Sequence, residues 1–165
     1  KKKKKINIYK NFLDKKEFAK VKEKIMSANF PWYFNDGINK IPDKNFQFTF
    51  IFLDENGINC SEKIMNVINP ILKKIKYNKL RAVKANLLTQ TKNTIEHGFH
   101  TDQLKGTTGI FYMNNCNGYT KFKDGTKIKS EENKYVEFNS TLQHTGSSCT
   151  DKKRRVVLNF NYELN

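Results

Sequence analysis

The sequence has 165 residues and a formal net charge of +15, from 31 Lys and Arg residues against 16 Asp and Glu residues. A chain of this length buries roughly 70% of its unfolded surface, and its 37% hydrophobic residues exclude a disordered protein. Three cysteines without a C-x-x-C pair exclude a disulfide framework and favour a reducing compartment, and no apolar run reaches the roughly 18 residues of a membrane span.

The chain begins with five lysines, which we interpret as a basic tail (residues 1–5) ahead of a single domain (residues 6–165). The other lysines are dispersed along the sequence, as is typical of a solvated surface. A net positive charge of this size also attracts anionic partners, including nucleic acids and acidic peptides. Nucleic-acid binding therefore stays open as an alternative.

The first predicted helix begins in "LDKKEF". Asp14 is a candidate N-cap, and Glu17 follows three residues later, as in a capping box. Phe18, Val21 and Ile25 then form an apolar stripe at helical spacing. We expect this helix to pack against a sheet.

Residues 28–45, "ANFPWYFNDGINKIPDKN", have turn chemistry and no sustained period, so we predict a loop whose aromatic side chains fill the core or line an entrance. Residues 46–53 are predicted to form a strand. Residues 61–76 have a helical pattern that Pro70 should kink or restart, with Asn69 as the candidate new cap.

From Arg81 onward the pattern changes to short strands separated by turn signals such as "NNCNGY" and "KDGTK". The predicted strands cover residues 82–90, 98–104, 108–114, 119–123, 134–138, 142–145 and 154–162. Helices followed by many short strands favour a β-sandwich or jelly roll with helices packed on one face.

The last predicted strand, "RRVVLNFNY", has two different faces. One face is apolar or aromatic and suits a core beneath helices. The other carries Arg155, Val157, Asn159 and Asn161. Polar groups that face the inside of a sandwich are costly unless they are paired. This face therefore predicts a binding cavity.

The stretch "HGFHTD" contains the strongest chemical signal. On a strand, His100 and Asp102 project from the same side and supply two members of a 2-His-1-carboxylate set, which binds non-haem Fe(II). His144, in "LQHTG", is the candidate third ligand. Because a His-x-Asp tripeptide often occurs by chance, the alternative is a surface His–Asp pair.

Arg155 follows His144 on the polar face of the last strand. A site that binds a dicarboxylate beside a metal needs a fixed cation, and a guanidinium offers two parallel donors. The alternative is that Arg155 only extends the solvated run "DKKRR". Alternation places Arg155, rather than Arg154, in phase with the polar face.

Four stretches together resemble the Fe(II)/2-oxoglutarate-dependent dioxygenases, particularly the compact prolyl-hydroxylase-like branch. They are "HTD" (100–102), "IFYMN…NGYTKF" (110–122), "FNSTLQHTG" (138–146) and "RVVLNFNY" (155–162), in the family's order. Upstream, "FPWYF" and "NPILKKI" resemble small single-domain members found in phages. The resemblance implies an α+β, mainly β fold: a double-stranded β-helix (jelly roll) with N-terminal helices packed on one sheet.

The resemblance also implies roles for individual residues. His100, Asp102 and His144 would be the iron ligands, and they would be the catalytic residues. Arg155 would hold the distal carboxylate of 2-oxoglutarate, together with the hydroxyl of Tyr112 in "IFYMN".

Two further positions are implied as cosubstrate contacts. Asn159 shares the Arg155 face, and Asn86 or Leu88 precedes the "HTD" stretch near another cosubstrate-contacting position. The chain differs from the prolyl-hydroxylase branch because "KANLLTQ" lacks a tyrosine often found there. This difference bears on the substrate more than on the chemistry.

The implied activity is hydroxylation of a side chain in a peptide or protein, with proline among the candidates, and with oxidative decarboxylation of 2-oxoglutarate to succinate and CO₂. It would require Fe(II), 2-oxoglutarate and O₂, with ascorbate as a candidate reductant.

We expect a cytoplasmic monomer without a membrane partner, in a host cell if the chain is phage-encoded. The alternatives are a nucleic-acid base oxygenase or demethylase, which the charge motivates, and a non-catalytic jelly-roll binding module.

His97 is the remaining histidine. We interpret it as a loop residue near the mouth of the site. The alternative is a zinc site with His100, Cys116 or Cys149, but the sequence has no tight Cys/His ligand spacing to support it.

Overall fold

A computed structural model describes residues 5–39 and 43–164. Most of the predicted basic tail (residues 1–4), part of the predicted loop (residues 40–42) and the last residue lie outside the described residues. No helix within the described ranges combines the length and the apolar character that a membrane span needs.

The described ranges contain two sets of elements. The helices are α1 (Lys15–Ile25), α2 (Glu62–Met65) and α3 (Asn69–Lys74), with a 3-10 turn at Asn66–Ile68. The strands are β1 (Ile6–Tyr9), β2 (Tyr33–Asn35), β3 (Gln47–Asp54), β4 (Gly57–Ile58), β5 (Lys79–Thr89), β6 (Thr107–Tyr112), β7 (Tyr119–Phe122), β8 (Lys127–Lys129), β9 (Lys134–Asn139), β10 (His144–Gly146) and β11 (Arg154–Glu163).

The strands form two antiparallel sheets. The larger sheet has the order β1-β9-β6-β11-β5-β3-β2, with β4 paired to β3, and the smaller sheet has the order β10-β7-β8. Apolar side chains from both sheets form a shared cluster that contains Ile110, Tyr112, Phe122, Ile128 and Val157. Two facing sheets with helices on the outer face of one of them confirm the predicted jelly-roll fold.

Helix α1 covers the outer face of the larger sheet. The Asp14 side chain accepts a hydrogen bond from the Glu17 backbone N–H at 2.7 Å, which caps the helix as predicted. Phe18, Val21 and Ile25 are buried in the main core. Burial of such side chains stabilises the fold by about 1.5–3 kcal/mol each.

Strand β11 separates the core from the interior of the sandwich. Its apolar face, with Val156, Leu158, Phe160 and Tyr162, is buried in the core beneath the helices. Its other face lines a cavity between the sheets, with Arg155, Val157, Asn159 and Asn161. This division is the one predicted from the alternation of residues.

The predicted strand over residues 98–104 is wrong. Within that stretch only His100 makes a β-bridge, which is isolated and pairs it with His144. Gly98 and Gly106 have φ values of +96° and +109°, in the region that interrupts an extended chain and that only glycine adopts without strain.

Two other predictions need correction. The predicted helix over residues 61–76 is divided into α2, a 3-10 turn and α3. Asn69 is the first residue of α3 rather than its cap, which is Ile68. The short strands β1, β2, β4 and β8 were not predicted. With two to four residues each, they are too short to show a local pattern, and they form by pairing with other strands.

A substitution at Gly109 tests the packing of the main core. A Cβ added there would overlap the phenol ring of Tyr135, whose hydroxyl is hydrogen-bonded to that of Tyr162. We expect Gly109→Ala to lower the free energy of unfolding by about 1–3 kcal/mol, as overpacking does. Urea unfolding measures this, and Tyr135→Phe in the same background should recover part of the loss. A Gly109→Ala chain as stable as wild type would contradict the packing.

Candidate functional site

Two of the predicted iron ligands are held together by backbone pairing. The His100 N–H donates to the His144 carbonyl at 3.0 Å, and the His144 N–H donates to the His100 carbonyl at 3.0 Å. The His97 N–H extends this pairing to the Gly146 carbonyl at 3.1 Å. Residues directly opposite in an antiparallel pair place their side chains on the same side, and the two imidazole centroids lie 4.5 Å apart.

Asp102 completes the cluster. Its Oδ1 lies 3.3 Å from Nε2 of His100 and 3.5 Å from Nε2 of His144. One ligand atom from each of the three residues lies within 4.8 Å of the others. In the described ranges it is the only group of three or more such side chains close enough to hold one metal ion. The structure therefore brings together the three predicted ligands.

Hydrogen bonds and packing orient the two rings. His144 Nδ1 lies 3.0 Å from the Leu142 carbonyl oxygen, which can only accept, so this nitrogen carries a proton and Nε2 faces Asp102. His100 Nδ1 has a longer contact, 3.4 Å, to the Gly98 carbonyl. Phe138 packs edge-on against His144 at 4.9 Å. Such outer contacts hold an imidazole in the orientation that a metal requires.

The carboxylate is ionised despite its burial. Burial alone would raise the pKa of the Asp102 carboxyl, but the two histidines beside it outweigh that effect and hold the pKa well below its ordinary value. Burial likewise would lower the pKa of His100, and Asp102 outweighs it and raises that pKa. The cluster thus presents an anionic oxygen and two imidazoles to a cation.

These side chains open into a cavity of about 340 Å³ between the sheets. Its wall includes all three candidate ligands and the inner faces of β5 and β11. The polar residues among the others that line it include Lys84, Asn86, Thr120, Arg155, Asn159 and Asn161. A concave site with a few convergent polar groups is typical of a small-molecule pocket.

Arg155 is a buried cation that lines this cavity, with 3% of its surface exposed. Its Nε has no hydrogen-bond partner, and the guanidinium makes no ion pair with any residue of the described ranges. Its guanidinium carbon lies 5.8 Å from the Tyr112 ring centroid. Burial lowers the pKa of the guanidinium, which nevertheless stays charged. A buried charge without a partner is costly, so this position favours a bound anion.

Tyr112 is not among the residues that line the cavity, although its ring lies next to the Arg155 guanidinium. It is fully buried, and its hydroxyl lies 2.7 Å from Oγ1 of Thr120, which does line the cavity. Thr120 was not among the predicted site residues. The available signal was the alternation in β7, whose two buried residues, Thr120 and Phe122, share the face towards the larger sheet.

The other predicted cosubstrate contacts line the same cavity. Asn86, Leu88 and Asn159 are all part of its wall. The Asn86 Nδ2 and the Asn159 Oδ1 are buried and have no hydrogen-bond partner in the described part of the chain. Unsatisfied buried amides are costly and favour a polar ligand.

His97 also lines the cavity, from a segment outside the named strands. Both of its ring nitrogens are buried and have no hydrogen-bond partner among the residues described. Burial lowers the pKa of this imidazole, and the nearby Arg155 lowers it further, against the opposing effect of Asp43. His97 does not join Cys116 or Cys149 in a metal-ligand group within the described ranges.

Gly118 makes room for Arg155. A Cβ added to Gly118 would lie 2.5 Å from the Arg155 Cδ and 3.1 Å from the Ser148 carbonyl oxygen. We therefore expect Gly118→Ala to displace the guanidinium and to weaken the binding of 2-oxoglutarate, the ligand that the resemblance implies, by about 10-fold in a calorimetric titration. Gly146→Ala, whose Cβ would lie at an ordinary 3.5 Å from Arg155 Nη1, should have a smaller effect. Equal effects of the two variants would contradict this role for Gly118.

No family model and no curated protein matches this sequence. Solved structures do match it. A 2OG-Fe(II) oxygenase family oxidoreductase from Burkholderia pseudomallei aligns with a TM-score of 0.68 and 11% identity, over 96% of this chain and 84% of that one. A prolyl hydroxylase from Trichoplax adhaerens, in complex with a hypoxia inducible factor peptide fragment, aligns with a TM-score of 0.67 and 12% identity, over 98% and 84%.

A third structure has a different activity. The epimerase SnoN, in complex with Fe³⁺, alpha ketoglutarate and nogalamycin RO, aligns with a TM-score of 0.68 and 8% identity, over 98% of this chain and 79% of that one. At such identities the likeness concerns the fold, and one fold serves several reactions. The chain therefore has the jelly-roll fold of the 2OG-Fe(II) oxygenases, and its His-Asp-His cluster lies inside that fold.

Proposed function

We propose that this protein is an Fe(II)- and 2-oxoglutarate-dependent dioxygenase that hydroxylates a side chain of a peptide or protein. One observation carries the proposal: the His-Asp-His cluster shares a single cavity with the Arg155 cation, which has no ion pair in the described ranges. The prolyl hydroxylase among the similar structures is in complex with a peptide fragment, which supports a peptide substrate with proline among the candidates.

The three side chains fit Fe(II). Two imidazole nitrogens and one carboxylate oxygen within 4.8 Å of one another are the donor set of a facial triad, which leaves positions open for other ligands. His100, Asp102 and His144 would hold the ion. Iron bound there would supply the activation of O₂ that couples decarboxylation of 2-oxoglutarate to substrate oxidation, with ascorbate as a candidate reductant.

The chain itself would bind and orient the cosubstrate. The Arg155 guanidinium would take the distal carboxylate of 2-oxoglutarate in a two-pronged contact. If Tyr112 donates its hydroxyl proton to Thr120, the Thr120 hydroxyl is free to donate to the same carboxylate. Asn86 and Asn159 would satisfy their unpaired amide groups on bound ligands. These contacts would fix the near end of the cosubstrate towards the metal.

An anaerobic titration tests this proposal. Fe(II) and then 2-oxoglutarate are added to the purified protein, and the weak visible charge-transfer band of the chelate is recorded. We expect the band to appear and to saturate with 2-oxoglutarate. Its absence would favour a non-catalytic binding module with the same fold.

Hydroxylation needs its own measurement, because an epimerase shares this fold. A peptide library that includes proline-containing sequences should stimulate succinate release and should gain one oxygen atom, detected by mass spectrometry. Only the net charge of +15 supports a nucleic-acid substrate.

The three cysteines are free, which supports a reducing compartment such as the cytoplasm.

A further inference from the structure

A second cation lines the cavity. Lys84 lies on the inner face of β5, where its neighbours across the sheet are Asn159 on β11 and Ile51 on β3. Both neighbours line the same cavity. The residues on either side of it, Val83 and Ala85, are buried in the main core. Alternation along the strand therefore directs the Lys84 side chain into the cavity rather than into the core.

This lysine has no hydrogen-bond or ion-pair partner among the residues that the structure describes. Its ammonium makes no hydrogen bond or ion pair within the described part of the chain, although the charge of Asp102 reaches it. Burial lowers the pKa of the ammonium, and Asp102 opposes that effect. A partly desolvated ammonium with three free donors is stabilised by an anion in contact with it.

Lys84 and Arg155 lie at different places along the cavity. Arg155 pairs with Leu88 on β5. Leu88 is four residues from Lys84, so the two backbone positions are about 13 Å apart along the strand. Lys84 is also close enough to the cluster for its charge to act on both Asp102 and His100. With 2-oxoglutarate assigned to Arg155, Lys84 is left for a second anion.

We propose that Lys84 binds a carboxylate of the primary substrate and so places the substrate beside the metal cluster. The proposal rests on the oxygenase function proposed above, which assigns the Arg155 end to the cosubstrate. It narrows the substrate class to molecules with a carboxylate close to the carbon that reacts.

Two kinds of substrate have this chemistry. A peptide would offer an acidic side chain or its C-terminal carboxylate. A free amino acid would offer its α-carboxylate and also an ammonium. Asp54 lines the same cavity and is the candidate partner of that ammonium. The Asp54 Oδ1 accepts a hydrogen bond from the Asn56 backbone N–H at 2.9 Å, so Oδ2 is the oxygen that would accept from the ammonium. The experiment has to distinguish these two sources.

The test follows Lys84 directly by NMR. Lysines are reductively methylated with ¹³C, which keeps their positive charge, and the Lys84 signal is identified by its absence from both K84Q and K84R. The full chain is loaded with Zn(II) and 2-oxoglutarate, so that Arg155 is occupied, and is titrated with acetate or acetamide. We expect acetate to shift the Lys84 signal saturably and acetamide to leave it in place. Lys79, exposed on the same strand, is the matched control and should not respond.

Two results would overturn the proposal. One is a Lys84 signal that responds to neither probe, or equally to both. The other is a signal that 2-oxoglutarate alone shifts to saturation and makes insensitive to acetate, which would assign Lys84 to the cosubstrate. The same acetate and acetamide titration of the metal-free R155M chain, which lacks the Arg155 cation, tests anion binding at Lys84 even if the protein binds no metal. Failure of the oxygenase proposal is recorded separately, by the Fe(II) titration.

A second set of probes identifies the source of the carboxylate. Glycine carries both charges, and N-acetylglycine carries the carboxylate alone. Tighter binding of glycine, lost in D54N, would support the proposal with a free amino acid as substrate. Equal or tighter binding of N-acetylglycine would support it with a carboxylate from a peptide.

Discussion

The Asp102→Ala variant will bind no Fe(II) in the anaerobic titration and will release succinate only at the background rate. Asp102 is the only carboxylate in the cluster, and its oxygen faces both imidazoles at 3.3 and 3.5 Å. Loss of an outer-shell partner of a metal site costs about 10- to 100-fold in affinity, and loss of a ligand should cost more. The charge-transfer band and the succinate assay measure the two effects.

The fold should survive this change. Asp102 lies outside the strands, and its removal leaves the backbone pairing of His100 with His144 intact. We expect a loss of about 1–3 kcal/mol in the free energy of unfolding at most. Asp36→Ala, which removes an exposed aspartate, is the control and should keep the band. Full activity in Asp102→Ala would show that the ligand assignment is wrong.

The Arg155→Met variant will need about 30-fold more 2-oxoglutarate, or more, for half-maximal turnover. Truncation of one partner of a buried charge pair costs about 2 kcal/mol or more, which corresponds to this factor. In contrast to this loss of function, the stability of the ligand-free protein should not fall. Because Arg155 is buried without an ion pair in the described structure, its replacement by an apolar chain should leave the stability unchanged or raise it.

This pair of opposite effects distinguishes a binding residue from a structural one. Urea unfolding without ligands gives the stability, and succinate release at varied 2-oxoglutarate gives the requirement. Arg154→Gln is the matched control, because Arg154 donates from Nη2 to the Met26 carbonyl at 2.8 Å and does not line the cavity. A destabilised Arg155→Met chain with an unchanged 2-oxoglutarate requirement would contradict the proposed role.

Several features were predictable because they depend on neighbouring residues alone. The cap at Asp14 and the buried stripe of α1 follow from helical spacing. The two faces of β11 follow from strand alternation, which predicts that Arg155 and Asn159 face a cavity, and both residues line it. His100 and Asp102 share a side as predicted, although the segment that carries them is not a strand.

Other features depend on residues far apart in the chain. The resemblance could name His144 as third ligand, but only the backbone bonds between residues 100 and 144 bring its ring beside that of His100. Thr120 lines the cavity from β7, which pairs with β10, and its contact with the Tyr112 hydroxyl joins residues of two different sheets.

By itself, the sequence of this protein determined the periodic elements, the fold class and the residue types of a metal site, since these depend on local spacing and on ordered motifs. The tertiary structure alone decided which polar groups have no partner. Arg155, Lys84 and the amides of Asn86 and Asn159 share one cavity. Whether a buried charge is satisfied depends on what every neighbouring strand brings to it, and that is a property of the packed chain.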